Sequence, residues 1–324
     1  MAGSFFAAFD WVRRHVEAER LPTAVLGVAT ADGTVALEAF GDARIDDRYP
    51  LFSITKPLTG IAAARVIERG LLTPDTPLTA ALPGFGAGRD DVVRLRHLAS
   101  HTSGISEPPL DSVSSTRKEL LMQGRDFVAG TASRYSTLAF EGIAALIEQA
   151  AGGTWDVEVG AWATEIGAET LNLELSDAHT VPDAAAAGLD LKRFALKRSP
   201  GAGLAGRADD LLRLGSALLR IGEGERGGIL HPSTLAMMRR PLTGDIPRLE
   251  PYIAERGQDW GFTWNLRTRA PGLIDRDVFG HGGWAGTEFW VHPTAGLAWV
   301  LLTNRAMRDG VEIDQLDNAI IAGL

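Results

Sequence analysis

The stretch DVFGHGGWAGTEFWVHPTAGLAWVLLT (residues 277–303) decides how this chain folds. It holds three strand-like runs, DVFGHGGW (277–284), GTEFWVHP (286–293) and GLAWVLLT (296–303), broken by Ala285-Gly286 and by Pro293-Thr294-Ala295-Gly296. Valine, phenylalanine and tryptophan suit the pleated surface of a sheet, and glycine and proline at the breaks turn the chain, so three consecutive antiparallel strands are predicted. A second ribbon stands near the other terminus, where TAVLGVAT (23–30) and TVALEAF (34–40) flank Ala31-Asp32-Gly33. The Asp-Gly pair supplies the positive φ that a tight hairpin needs. Neither ribbon buries its faces alone, so the simplest closure joins them in one five-stranded antiparallel sheet. Helix-like segments at the start (MAGSFFAAFDWVRRHVEAER) and over 310–323 would cover one side of it.

Between the ribbons the period changes. In AFEGIAALIEQAAGG (139–153), Phe140, Ile143, Ala144, Ile147 and Ala151 recur at helical spacing and Gly152-Gly153 provide the stop. Related patterns over 57–69, 117–128 and 208–221 make the middle mainly helical, with connections such as TPDTPLTAALPGFGAG (73–88). The expected fold class is α+β: a sheet domain built from 1–52 and 223–324, a helical domain inserted at 53–222, and an active-site cleft between them.

Bulk properties narrow the function. At 324 residues, 45% hydrophobic and 23% charged, with a formal net charge of −9, the chain has no electrostatic footprint for nucleic acid or an anionic membrane. It has no cysteine, which excludes disulfides, thiolate catalysis and cysteine-ligated metals. The first twenty residues carry charges throughout and lack the pattern of a signal peptide, and the longest strongly apolar run, GLAWVLLT, is too short to span a bilayer. A cytoplasmic protein is expected, with no metal or organic cofactor implied.

Several motifs fail on inspection. GAGLAG (201–206) matches a dinucleotide fingerprint, but LKRSP precedes it where a buried strand should lead into the first glycine. A tight glycine loop before a helix is the better reading. His97 and His101 have the spacing of a helical metal site, yet Leu98 stands where the metalloprotease motif needs glutamate. His101 is instead expected at a helix end, satisfying local backbone groups. Neither a G-x-S-x-G elbow nor a P-loop occurs.

LFSITKPLTG (51–60) is different. Ser53 and Lys56 are three apart where a helix begins, so an amine would sit beside a hydroxyl, and a desolvated lysine can take a serine proton. Acyl transfer on Ser53 also needs a second proton relay and donors for the oxyanion. Tyr135 in SRYST (133–137), just before the 139–151 helix, and GHGGW (280–284), on a predicted strand, offer both.

Taken together, S-x-x-K, then Y-x-T, then H-G-G in this order resemble the serine β-lactamase and penicillin-binding-protein superfamily. The likeness is to its class C-like branch, with D-alanyl-D-alanine carboxypeptidases and β-lactamase-fold carboxylesterases. LRHLASHTSGI (95–105), SPGAGLAGRADDLL (199–212), WGFTW (260–264) and GHGGWAGTEFWVHPTAGLAWVLLTNR (280–305) extend it over nearly the whole chain. The resemblance implies Ser53 as nucleophile, Lys56 and Tyr135 sharing its proton, and an oxyanion hole from the N–H groups of Ser53 and Trp284. Thr137, His281, Gly282 and Gly283 would line the substrate site.

Two positions depart from the family pattern. Thr137 replaces the asparagine of Y-x-N, and His281 replaces the lysine of K-T-G. The first loses an amide that helps hold an acylamino group, and the second loses most of the attraction for a substrate carboxylate. A carboxylesterase-type hydrolase acting on small esters is therefore expected. β-Lactamase or D-amino-acid peptidase activity, and a non-catalytic ligand-binding or sensor role, are the alternatives.

Overall fold

The computed structural model describes residues 4–249 and 258–324. The chain begins with α1 (Phe6–Glu17) and the hairpin β1 (Thr23–Thr30) and β2 (Gly33–Gly41). A two-residue β3 (Tyr49–Pro50) leads through a 3₁₀ turn at Phe52–Ile54 into α2 (Thr55–Glu68). Then come α3 (Leu95–Ala99), α4 (Thr116–Met122), α5 (Ala139–Ala151), α6 (Trp155–Glu165) and α7 (Leu191–Leu196). β4 (Ala205–Gly206), which pairs with β3, precedes α8 (Ala208–Gly222) and α9 (Pro232–Met238). The remainder comprises β5 (Asp259–Trp260), β6 (Asn265–Leu266), β7 (Phe279–Gly282), β8 (Glu288–His292), β9 (Leu297–Thr303) and α10 (Ile313–Ile321).

The two ribbons join through β1 and β9, with Ala24 opposite Thr303 and Ala29 opposite Ala298. The sheet is larger than the expected five strands, however. Among the described residues it has seven, in the order β2-β1-β9-β8-β7-β6-β5, antiparallel throughout and open at both edges. The additional pair, β5 and β6, is a hairpin of two residues per strand. Two residues carry no measurable period, so a period-2 search has nothing to detect there.

Alternation along the strands sorts the core into two layers. Ala24, Leu26 and Val28 of β1 join Trp290, Trp299 and Leu301 against Trp11 of α1 and Leu316 and Ile320 of α10. Val25, Ala29, Val291, Ala298, Val300 and Leu302 face the other way, into the core that includes Leu211, Leu214 and Leu218 of α8. α8 lies so close that a Cβ on Gly215 would stand 2.5 Å from the Ala298 Cβ. The start of α2 is tied down by the glycine-rich segment before α8. Leu51 N–H donates to Leu204 O at 2.8 Å, Leu204 N–H to Thr55 Oγ1 at 3.1 Å, and Thr59 Oγ1 to Pro200 O at 2.7 Å. The β5–β6 turn presses on the same helix: a Cβ on Gly60 would sit 1.7 Å from Thr263 Oγ1, so only glycine fits there. No helix of the described residues is long and apolar enough to cross a membrane.

Candidate active site

Ser53 follows a residue in an unusual conformation. Phe52 has φ +45°, a left-handed value that a bulky side chain adopts only when its surroundings enforce it. Its fully buried ring is held between Phe194 and Trp284, with centroids 5.1 and 5.3 Å away. The chain thus turns sharply just ahead of Ser53.

Lys56 follows in the first turn of α2 and has no solvent exposure. Its Nζ donates to three acceptors: Ser53 Oγ at 3.2 Å, Thr137 Oγ1 at 3.2 Å and Gly201 O at 2.9 Å. The last belongs to GAGLAG, so the loop mimicking a nucleotide fingerprint serves instead as a cradle for the amine. Burial brings the Lys56 pKa down from 10.5 to about 7, with the Glu107 carboxylate acting in the opposite sense. At neutral pH a large share of Lys56 is therefore the free amine, which has a lone pair to accept a proton.

Tyr135 comes from the loop before α5 and donates its O–H to Ser53 Oγ at 2.7 Å. Its ring stacks on His101, centroid to centroid 4.5 Å at 26°, and lies 4.6 Å from Lys56 Nζ. His101, itself at φ +58°, is braced edge-on by Trp260 at 4.3 Å. Its Nδ1 accepts the Ser136 N–H at 3.0 Å and its carbonyl accepts the Arg134 N–H at 2.9 Å. His101 stands at the helix end expected of it, just past α3, but the backbone it serves is not local: it carries the loop of Tyr135, more than thirty residues away. His97 accepts the Arg94 N–H through its own Nδ1, at 3.2 Å.

His281, on β7, faces the same cluster, 6.1 Å from the Tyr135 ring and 5.3 Å from the Trp260 ring. Its Nδ1–H donates to Gly282 O at 2.7 Å. Burial and the neighbouring Lys56 charge push its pKa down to about 3, so the ring is neutral at pH 7. Beyond it, β7 abuts the segment leading to Ser53. Thr287 Oγ1 donates to Leu51 O at 3.2 Å, and a Cβ on Gly283 would stand 2.0 Å from Thr287 Oγ1 and 2.6 Å from Leu51 O. Glycine at 283 is a requirement of that close approach. Trp284 sits in the turn closed by Gly286 N–H to Gly283 O at 3.0 Å, and its own N–H donates to no described group.

This arrangement is a hydroxyl flanked by a buried amine and a phenol. A family model described as Beta-lactamase matches residues 9–322. The chain belongs to the Beta-lactamase family. Esterase EstB of Burkholderia gladioli is 28% identical over 375 aligned positions, covering 94% of this chain and 91% of that protein. EstCE1, described as a hydrolase with promiscuous acyltransferase activity, superposes with a TM-score of 0.77 at 23% identity, covering 97% of each chain. A penicillin-binding protein homologue from Caulobacter crescentus gives 0.77 at 19% identity, covering 98% of this chain and 96% of that one. These two structural likenesses establish the mixed α/β fold of the Beta-lactamase family.

Within that family fold, Ser53, Lys56, Tyr135, Thr137 and His281 lie together, Gly283 packs on Leu51 O and the Trp284 ring on Phe52, while Gly282 follows His281 on β7. Three participants were not picked out from sequence: Glu107, the stacking role of His101, and Trp260. Glu107 accepts the N–H of Thr137 and of Leu138 and the hydroxyl of Ser136, from a loop thirty residues away. No local pattern in SGISEPP signals such a partner.

Proposed function

We propose that this Beta-lactamase-family protein is a serine hydrolase that passes an acyl group through Ser53 and prefers small uncharged carboxylic esters. The observation that carries this reading is the convergence of two proton carriers from different elements on one hydroxyl, Tyr135 at 2.7 Å and Lys56 at 3.2 Å. In the proposed cycle the free amine of Lys56 takes the Ser53 proton as Oγ attacks the carbonyl carbon. The N–H groups of Ser53 and Trp284 hold the resulting oxyanion. The C–O bond then breaks, and Lys56 and Tyr135 together return the proton to the departing alkoxide, leaving both as they began. Water repeats the sequence on the acyl-enzyme and releases the carboxylic acid.

Three features support the ester preference. The Thr137 hydroxyl is engaged by Lys56 rather than presented to a substrate amide. Neutral His281 supplies no charge for a substrate carboxylate. Phe194, Leu110 and Trp284 form an apolar wall beside the turn that carries Ser53. The name of the relative EstB points the same way. The intact Ser53–Lys56–Tyr135 contacts favour a turning-over enzyme over a sensor, because Thr137 still engages Lys56 although it is not asparagine.

Hydrolysis of p-nitrophenyl butyrate by the wild type and by Ser53→Ala tests the reading. Wild-type kcat/KM rises as Lys56 loses its proton, half-maximal at about pH 7, and then levels off. Ser53→Ala stays at the uncatalysed rate throughout. A cephalosporin or a D-amino-acid peptide turned over with a higher kcat/KM than the ester would overturn the ester preference.

A further inference from the structure

We propose that Glu107 is a positioning residue of this site, whose carboxylate holds the Ser136–Leu138 segment, and with it Tyr135 and Thr137, against Ser53 and Lys56. The inference rests on the serine-hydrolase reading given above. Glu107 stands on an exposed loop, between Ser106 and Pro108-Pro109, and turns its carboxylate inward. One oxygen accepts the N–H of Thr137 at 2.9 Å and of Leu138 at 3.3 Å. The other accepts the Leu138 N–H at 3.1 Å and the Ser136 hydroxyl at 2.7 Å. Ser136 Oγ passes the chain on by accepting the Ala139 N–H at 3.1 Å.

The Leu138 N–H, and the Ala139 N–H reached through Ser136, are among those an α-helix leaves unpartnered at its start, here the start of the 13-residue α5. Its N-cap is Leu138, whose side chain cannot accept a hydrogen bond. Glu107 fills that role from elsewhere in the chain, and a carboxylate at a helix N-terminus makes charge-assisted bonds with the dipole behind it. Two other glutamates border the same recess, and both are engaged by cations: Glu119 by Lys197, and Glu141 by Arg117. Among the described residues, by contrast, the hydrogen bonds of the Glu107 carboxylate all go to the Ser136–Leu138 segment.

The consequence reaches the chemistry by two routes. Tyr135 and Thr137 flank Ser136, so any slackening there moves the phenol now 2.7 Å from Ser53 Oγ and the hydroxyl now 3.2 Å from Lys56 Nζ. The second route is charge. The groups facing Lys56 are Ser53, Tyr135, Thr137, His101, His281 and Glu107; both imidazoles are held neutral by burial, and Glu107 is the carboxylate that favours protonated Lys56. Removing its charge makes the amine lose its proton at lower pH. A residue that only stabilised the fold would not move that pH.

The test is the pH dependence of Ser53 labelling by a fluorophosphonate probe, read by mass spectrometry for wild type, Glu107→Gln and Glu107→Ala. Each rate is normalised to the folded fraction from thermal denaturation. Labelling of the wild type on Ser53 checks the hydrolase reading separately. Given that labelling, Glu107→Gln is expected to reach half-maximal rate at a pH lower by roughly half a unit or more. Glu107→Ala, which also frees the loop, is expected to lose about 100-fold in plateau rate, as small misplacements of catalytic groups do. A Glu107→Gln midpoint equal to the wild type, or a wild-type plateau in Glu107→Ala, overturns the proposal.

Discussion

Replacing Lys56 with methionine is expected to lower kcat/KM for p-nitrophenyl butyrate by roughly 10²–10⁴-fold and to have its highest thermal midpoint, relative to the wild type, at neutral pH and below. The loss follows from removing the amine 3.2 Å from Ser53 Oγ, the group proposed to take its proton. The pH dependence of the stability difference follows from burial. In the unfolded chain Lys56 titrates near 10.5, and in the fold near 7. Between those values the unfolded state binds more protons, so stability rises with pH across the window, and the full penalty is present below about pH 7. Each unit of such a shift is worth about 1.4 kcal/mol, giving a penalty on the order of a few kcal/mol at neutral pH. Methionine fills nearly the same volume without a charge to desolvate. Against this, Gly201 O and Thr137 Oγ1 lose their donor, at roughly 1–3 kcal/mol for a buried acceptor left unpaired. Because the wild-type penalty fades as pH climbs toward 10.5, the stability of Lys56→Met relative to the wild type falls over the same range. Thermal denaturation at several pH values, alongside steady-state kinetics, checks both halves.

Tyr135→Phe separates chemistry from packing. The phenyl ring keeps its stacking on His101 at 4.5 Å and its contact with Lys56, while the O–H that donates to Ser53 Oγ at 2.7 Å disappears. The expected result is a fall in kcat of about 10²–10³-fold, with KM and the thermal midpoint close to wild type. The hydroxyl is proposed to act on protons in transit, not on ground-state binding. An equal fall for p-nitrophenyl butyrate and ethyl butyrate would place the effect on attack by Ser53. A larger fall for the ethyl ester would place it on departure of the alkoxide.

Much of this architecture could be read from local pattern. β1 occupies 23–30, as the run TAVLGVAT and the following Asp-Gly turn predict. α5 ends at Ala151 with Gly152 at φ +77°, as the glycine pair after Ala151 requires. The Ser53–Lys56 spacing likewise placed an amine beside a hydroxyl, although Ser53 itself sits in a 3₁₀ turn just ahead of α2. What could not be read is what depends on distant encounters. The hairpin of β5 and β6 is too short to carry a period, and Thr263 at its turn takes a left-handed conformation usually left to glycine or asparagine. The helical pattern of α8 fixes that it is a helix but not that its partner is the sheet face containing Ala298. Glu107, His101 and Trp260 are ordinary residues in sequence. They acquire meaning only where tertiary folding sets them against Ser136 and Tyr135.

The most direct test of the central claim is to quench the wild-type enzyme in acid during turnover of p-nitrophenyl butyrate and map the peptides by mass spectrometry. A single butyryl group on the peptide containing Ser53, formed faster than steady-state turnover and absent from Ser53→Ala, is the result this account predicts. Turnover without a modified Ser53 peptide, together with activity surviving in Ser53→Ala, would contradict it.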